Sequence, residues 1–251
     1  VVRDDLEEDD LHDPAYQYVS TNDIRQRAGH HGYAVEEFLL GRNGLSPARL
    51  TAILRARGVE GLIVSPQSSR VIGSELDYRA FAAVTFGYGL QSPALHRAST
   101  NMMQGLLTAI GELTRRGYRR IGLAITRWID ARADHAYSGA LLYHQQAIAP
   151  RNRVPLLFFA ENNPARGREM FLTWAAKHRP DAVISFHTYV PEWLTSGLGR
   201  RIPEDVGLVV HDWTEQMTAF AGIHHRRAAV AAAAVDLLVT QLMHNERGIP
   251  E

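Results

Sequence analysis

Short apolar or β-branched runs alternate along this chain with longer stretches in which apolar residues return every three or four positions, the pattern of successive βαβ units. The runs predicted to be strands are Ala34 to Leu40, Gly61 to Val64, Phe81 to Phe86, Arg120 to Ile125, Val154 to Phe159, Ala182 to Ser185 and Val206 to Val210. The stretches predicted to be helices are Asn22 to His31, Ser46 to Arg57, Asn101 to Arg116, Asp134 to Ile148, Ala165 to His178, Pro191 to Leu198 and Ala228 to Asn245. The fold class is therefore α/β, built on parallel sheets. Punctuation supports the helix ends: Ser46-Pro47 places a cap before a first-turn proline, and Gly58, Gly117 and Gly199 stand where a helix stops in a left-handed residue. The stretch Ala228 to Met243 carries small residues on most faces beside a Leu/Val/Met stripe and is expected to pack on a sheet.

The 251 residues suffice for one large core or two smaller ones. Twenty-seven basic residues balance 27 acidic ones, so no net charge draws the whole chain toward phosphate backbones or anionic membranes. The cluster Arg115-Arg116 and Arg119-Arg120 reads as cations at a helix end, where the dipole favours them. There is no cysteine, which excludes disulfides and thiolate chemistry and agrees with a cytoplasmic location. No apolar run approaches the roughly 18 to 20 residues of a membrane helix. Val1 to Asp10 is acidic and lacks the basic start and apolar core of a signal peptide.

Catalytic signatures are missing. There is no Gly-x-Ser-x-Gly elbow, Walker loop or dinucleotide turn, and Gly87-Tyr88-Gly89 is too short to count as one. Twelve histidines invite a metal, yet none has zinc spacing, and the adjacent pairs His30-His31 and His224-His225 diverge. Glu36-Glu37 and Glu204-Asp205 are sequence neighbours that read as solvated charges rather than as a glycosidase pair. The expectation is a binding protein without enzymatic activity, cofactor or metal.

Six phrases in order resemble the LacI/GalR family of bacterial transcription regulators: Gly32-Tyr33 with Val35 to Phe38, RARGVEGLIVSP from Arg55, LTRRGYRRIGLAI from Leu113, DARADHAYSGA from Asp130, RPDAVI from Arg179, and RIPEDVGLVVHD from Arg201. Together they span roughly Gly29 to Glu251. The resemblance implies two lobes like those of periplasmic sugar-binding proteins, each a parallel sheet flanked by helices, with the chain crossing between them more than once. It assigns residues 1–117 and 226–247 to an N-terminal lobe and 118–225 to a C-terminal lobe, with the helix-turn-helix head absent from this chain. It implies a small-molecule effector, such as a sugar, bound between the lobes, a homodimer, and operator DNA reached only through the missing head. The family's first strand is not recognisable in Val1 to Tyr18, and its last strand after Pro250-Glu251 is absent, so both ends look truncated. A periplasmic sugar-transport protein, which would carry a signal peptide and remain monomeric, is the alternative.

In open parallel sheets, ligands bind beyond the carboxyl ends of the strands. Arg132 matches the family's cleft arginine, whose planar fork suits hydroxyl pairs or a carboxylate; an ordinary surface ion pair is the alternative. Asp212 matches the family's ligand-facing aspartate, with a helix cap as the alternative. Trp128 either stacks on a sugar face or packs in the lobe. Where the family carries Asn-Asp, this chain has Phe186-His187-Thr188-Tyr189, so Phe186, His187 and Tyr189 imply a more apolar ligand or stacking in place of a polar contact. Ser65, Gln67 and Tyr88 follow the third and fourth strands, where polar residues are often ordinary turns. Asn101 resembles the polar start of the family's cleft helix, or simply caps it.

Overall fold

The computed structural model describes residues 1–4, 19–40, 45–65, 75–160 and 163–250. It divides into two compact units, Val1–Thr100 with Arg226–Glu251, and Asn101–His225.

In the first unit, β1 (Val2–Asp4), β2 (Phe38–Leu40), β3 (Gly61–Ser65), β4 (Ala82–Phe86) and β5 (His96–Ala98) form one parallel sheet in the order β2-β1-β3-β4-β5. β1 supplies a first strand within Val1 to Tyr18, where the sequence showed none that could be recognised. Three residues suffice there because both edges are paired, Val2 against Phe38 and Val64. β5 was also missed, since His-Arg-Ala has no apolar run to mark it. Helix α1 (Thr21–His30) is capped by Ser20, and α2 (Pro47–Ala56) by Ser46 with proline in its first turn. The alanine-rich α8 (Arg227–Met243) buries Val230, Ala231, Ala234, Val235 and Val239 against Ile24, Ile63 and Val84. Small side chains there allow close approach: a Cβ on Gly61 would stand 3.1 Å from Leu238. Arg27 clamps Asp236 of α8 at 2.7 and 2.8 Å, and His31 adds a third contact at 2.9 Å.

The second unit repeats the plan. β6 (Ile121–Ile125), β7 (Leu157–Phe158), β8 (Ala182–Ser185), β9 (Gly207–Val210) and β10 (Ala221–Gly222) are parallel in the order β10-β9-β8-β6-β7. Numbered within each unit, both sheets run 2-1-3-4-5, so each reverses direction between its first and third strands. Around the second sheet lie α3 (Met102–Arg115), α4 (Arg127–Arg132), α5 (Ala136–Gln146), α6 (Pro164–His178) and the short α7 (Val190–Glu192), which continues as a π turn over Trp193–Gly197. The family resemblance assigned residues up to 117, and with them α3, to the N-terminal lobe. The helix groups with the second unit, where Tyr137 of α5 donates to the Met102 sulfur at 3.2 Å and Gly105 lies against His211.

The core of this unit is aromatic. Phe171, Trp174 and Trp193 pack with Phe159, with ring centroids 5.5 to 5.8 Å apart. Gly58, Gly117 and Gly199 all have positive φ, as their positions at helix ends required. Loops at the amino ends of the strands are knitted by Arg120, whose guanidinium donates to the carbonyls of Arg151, His178 and Arg179. That role replaces the strand position expected for Arg120. Among the described residues, no helix is long and apolar enough to cross a membrane.

Candidate functional site

The carboxyl ends of the strands on either side of each reversal point are where polar groups are presented on a rigid frame. In the second unit those ends belong to β6 and β8, with β9 beside them. Beyond β6, Thr126 caps α4 by accepting from the Ile129 N–H at 3.3 Å. The sequence pattern read this segment as loop, because six residues are too few to show a period. α4 places Trp128 and Arg132 one turn apart, and the Arg132 guanidinium lies over the Trp128 ring at 4.5 Å. Arg132 is half-buried and its Nη1 is shielded from solvent.

The corner after α4 is fixed by Asp130. Its buried carboxylate accepts from the Ser138 N–H at 2.9 Å, capping α5, and meets His135 Nδ1 at 3.2 Å. Asp134 and His135 both take left-handed backbone, φ 52° and 60°. Two consecutive non-glycine residues in that region cost on the order of 1 kcal/mol each, and persist only where their surroundings hold them.

Beyond β8, Ser185 donates to the Ala124 carbonyl at 2.8 Å and thereby ties β8 to β6. Phe186 is buried between Tyr137 and His211, with its ring centroid 4.6 Å from each of theirs, and those two rings are 5.0 Å apart. His187 is also buried, stacked on Tyr189, whose hydroxyl lies 2.9 Å from His187 Nδ1. Tyr189 is half-buried and rests on Trp193. Beyond β9 stand His211, fully buried, and Asp212, 7% exposed with its Oδ1 shielded.

His211 and its partner were missed by sequence reading. His211 Nδ1 lies 3.2 Å from His225 Nε2, while its own Nε2 has no hydrogen-bond partner among the described residues. Burial, reinforced by His225, pushes the His211 pKa well below the ordinary value of 6.5, so the imidazole is neutral. Only contact across 14 residues of sequence reveals the pair, and no local motif advertises it.

In the first unit the reversal point lies between β1 and β3. Ser65 ends β3, almost fully buried, directly opposite Arg3 of β1. Arg3 is a further residue that the sequence did not reveal. Its guanidinium meets Glu37 at 2.6 Å, Thr21 at 2.5 Å and the Val19 carbonyl at 3.1 Å. Glu37 is therefore the counter-ion of a buried arginine and not the solvated charge expected, whereas Glu36 pairs at the surface with Arg57 at 2.7 Å. Tyr88 is half-buried with the Arg97 guanidinium 5.2 Å from its ring, and Arg97 is fixed by the Gly87 and Leu90 carbonyls. Gln67 lies outside the described residues. Asn101 caps α3, accepting from the Gln104 N–H at 2.9 Å. Among the described residues no three His, Asp or Glu side chains gather as metal ligands.

Taken singly, each unit has a cavity away from these residues. One of about 340 Å³ in the first is lined by Val1, Tyr33, Gly61 and Leu242, and one of about 750 Å³ in the second by Ala109, Glu192, Gly207 and Phe220. Neither cavity is lined by any of the nine sequence candidates that lie among the described residues.

No protein-family profile matches the chain, and no curated protein does. Solved structures match it over its whole length. A LacI transcriptional regulator from a Rhodococcus species is 17% identical, with a TM-score of 0.71, over 99% of this chain and 92% of that one. A LacI-family regulator from Enterococcus faecium with bound ribose is 16% identical, with a TM-score of 0.65, over 99% and 92%. One from Lactobacillus casei with bound glucose is 17% identical, with a TM-score of 0.60, over 99% and 95%. The chain has the fold of these regulators, which is that of periplasmic binding proteins.

Proposed function

We propose that this chain is the effector-binding core of a LacI-type transcription regulator, and that its effector is a sugar or a related polyhydroxylated metabolite held jointly by the carboxyl ends of the two sheets. The observation that carries this reading is the likeness in fold over the whole chain to regulators that hold ribose or glucose. In the second unit, Arg132 supplies fixed donors, Asp212 supplies acceptors for vicinal hydroxyls, and Trp128 supplies a flat apolar face. In this reading Phe186 and His187, both buried, form the floor beneath that site rather than polar contacts. On the first unit, Ser65, Tyr88 and the newly found Arg3 are the groups nearest the corresponding strand ends.

Signalling follows as a population shift. A ligand held by both units favours one arrangement of them, and a coupling of about 1 to 3 kcal/mol changes how two DNA-binding heads of a homodimer meet their half-sites. The chemistry is binding without turnover.

The test is titration calorimetry with ribose and glucose on the wild type and on Arg132→Ala and Asp212→Ala. Each substitution removes a charged hydrogen-bonding group and is expected to weaken binding by about tenfold to a hundredfold, with the thermal transition of the unliganded protein in place. Unchanged affinity in both variants would refute the site.

A further inference from the structure

The balanced total charge conceals a local excess. Every β-strand of the second sheet is parallel, so the loops that enter β6, β7, β8 and β9 all lie at the same end, opposite the candidate ligand site. Those four loops are rich in exposed cations: Arg119 before β6, Arg151 and Arg153 before β7, Lys177 and Arg179 before β8, and Arg200 before β9. None of these six has a carboxylate within 4.0 Å among the described residues, whereas the neighbouring Arg115 and Arg116 share Glu112 and Arg201 holds Asp205. Glu204 is the exposed acid of this end. Asp181, which sits among the cations, is occupied by the Arg119 and Arg120 backbone N–H groups at 2.8 and 2.9 Å.

The rim is built rather than incidental. Arg120 fastens three of the loops together through their carbonyls, and the Gly207 N–H donates to the Asp181 carbonyl at 2.8 Å, which brings the loop before β9 alongside. Arg179 is held with φ 44°, a left-handed conformation that costs a non-glycine residue energy, and its side chain remains exposed. The local potential acts on His178, whose pKa is lowered first by burial and then by Lys177 and Arg120.

We infer that this basic rim is a docking surface for the phosphodiester backbone of duplex DNA, separate from any helix-turn-helix head. Adjacent strands are about 4.8 Å apart, so the loops before β9, β8, β6 and β7 set cations in a row about 15 Å long. Such a row fits a linear polyanion that carries one charge per about 1.7 Å of duplex. Five of the six are arginines, whose forked donors match phosphate oxygens. An acidic protein surface fits less well, because a stable protein interface needs a desolvated apolar centre. None of the large exposed apolar residues, Tyr33, Leu39, Met103, Leu142, Tyr143, Met243 and Ile249, falls within these four loops. In sequence, the Arg115 to Arg120 cluster was adequately explained as helix-end charge; the fold adds the cations of three further loops to it.

Fluorescence anisotropy of a labelled 20-base-pair duplex of arbitrary sequence, titrated with the 251-residue chain at several salt concentrations, tests the inference. Binding engaging up to six phosphates should weaken with salt at a log–log slope of about −5. A variant carrying Arg119→Gln, Arg151→Gln, Arg179→Asn and Arg200→Gln should lose about 3 to 4 units of that slope and bind at least about tenfold more weakly. A second variant, with Arg25, Arg49, Arg57 and Arg79 of the first unit changed to Gln, has the same change in charge and should bind as the wild type. Three results would each overturn the inference: no anisotropy change at low salt, equal weakening in the two variants, or competition by polyglutamate as effective as that by unlabelled duplex.

Discussion

Replacing Gly122 with valine should lower the stability of the second unit by about 3 kcal/mol and its melting temperature by roughly 10 °C. Gly122 is the second residue of β6, where it pairs with Val183 of β8, and β7 flanks the same strand from Ala124 onward. A Cβ built there would stand 2.5 and 2.7 Å from the Trp174 ring and 3.2 Å from Val154. Trp174 cannot swing away cheaply, because its Nε1 donates to the Pro155 carbonyl at 2.7 Å and its ring packs on Phe171. Tryptophan fluorescence reads this unit alone, since all four tryptophans, Trp128, Trp174, Trp193 and Trp213, fall between Asn101 and His225. An unchanged fluorescence transition in Gly122→Val would contradict the packing described for β6 and α6. The same change at Gly139, where an added Cβ meets nothing within 4 Å, should be close to neutral and serves as the comparison.

Stability of the second unit should also fall as pH drops below about 6.5, by up to about 2 kcal/mol at pH 5. The cause is His211. Burial and the nearby His225 lower its pKa, so the folded protein holds it neutral while the unfolded chain protonates it below the ordinary value. Unfolding therefore takes up a proton in that range; the contribution is complete above pH 6.5 and is lost as pH falls toward the folded-state value. The ring is enclosed by Tyr137, Phe186 and the Gly105 backbone, and an imidazolium there would lack an acceptor for Nε2. Urea melts followed by tryptophan emission between pH 5 and 8 should show the loss in the wild type and a flatter profile in His211→Phe, which keeps the ring and removes the titration. The same pH dependence in both proteins would remove His211 from the explanation.

What could be read in the sequence depended on length and on locality. Strands with four or five apolar residues, such as β3, β4, β6, β8 and β9, announced themselves, as did helices whose caps were Ser46 or Asn101. β1, β5 and β10 did not: two or three residues carry no period, and Ala221-Gly222 is exposed at a sheet edge where no apolar pattern is needed. Asn101 illustrates a residue whose bland reading, the helix cap, is present in the structure. Phe186 and His187 were noted because they replaced a polar pair, and the fold buries both. Arg3 went unread because one charged residue beside an acidic run gives no sign of burial, while its counter-ion Glu37 and its bonded Thr21 are far along the chain. His211 and His225 escaped for the same reason. Long-range pairing of polar residues leaves no periodic trace, whereas burial of apolar ones does.

The most direct test of the proposed function is a titration of the wild-type chain with a panel of pentoses and hexoses that includes ribose and glucose, followed by calorimetry and by tryptophan emission. The expected result is saturable binding of at least one sugar, with a change in emission from Trp128 that disappears in Trp128→Phe. No heat and no emission change with any sugar of the panel up to about 10 mM would contradict the assignment of this chain as a sugar-sensing core.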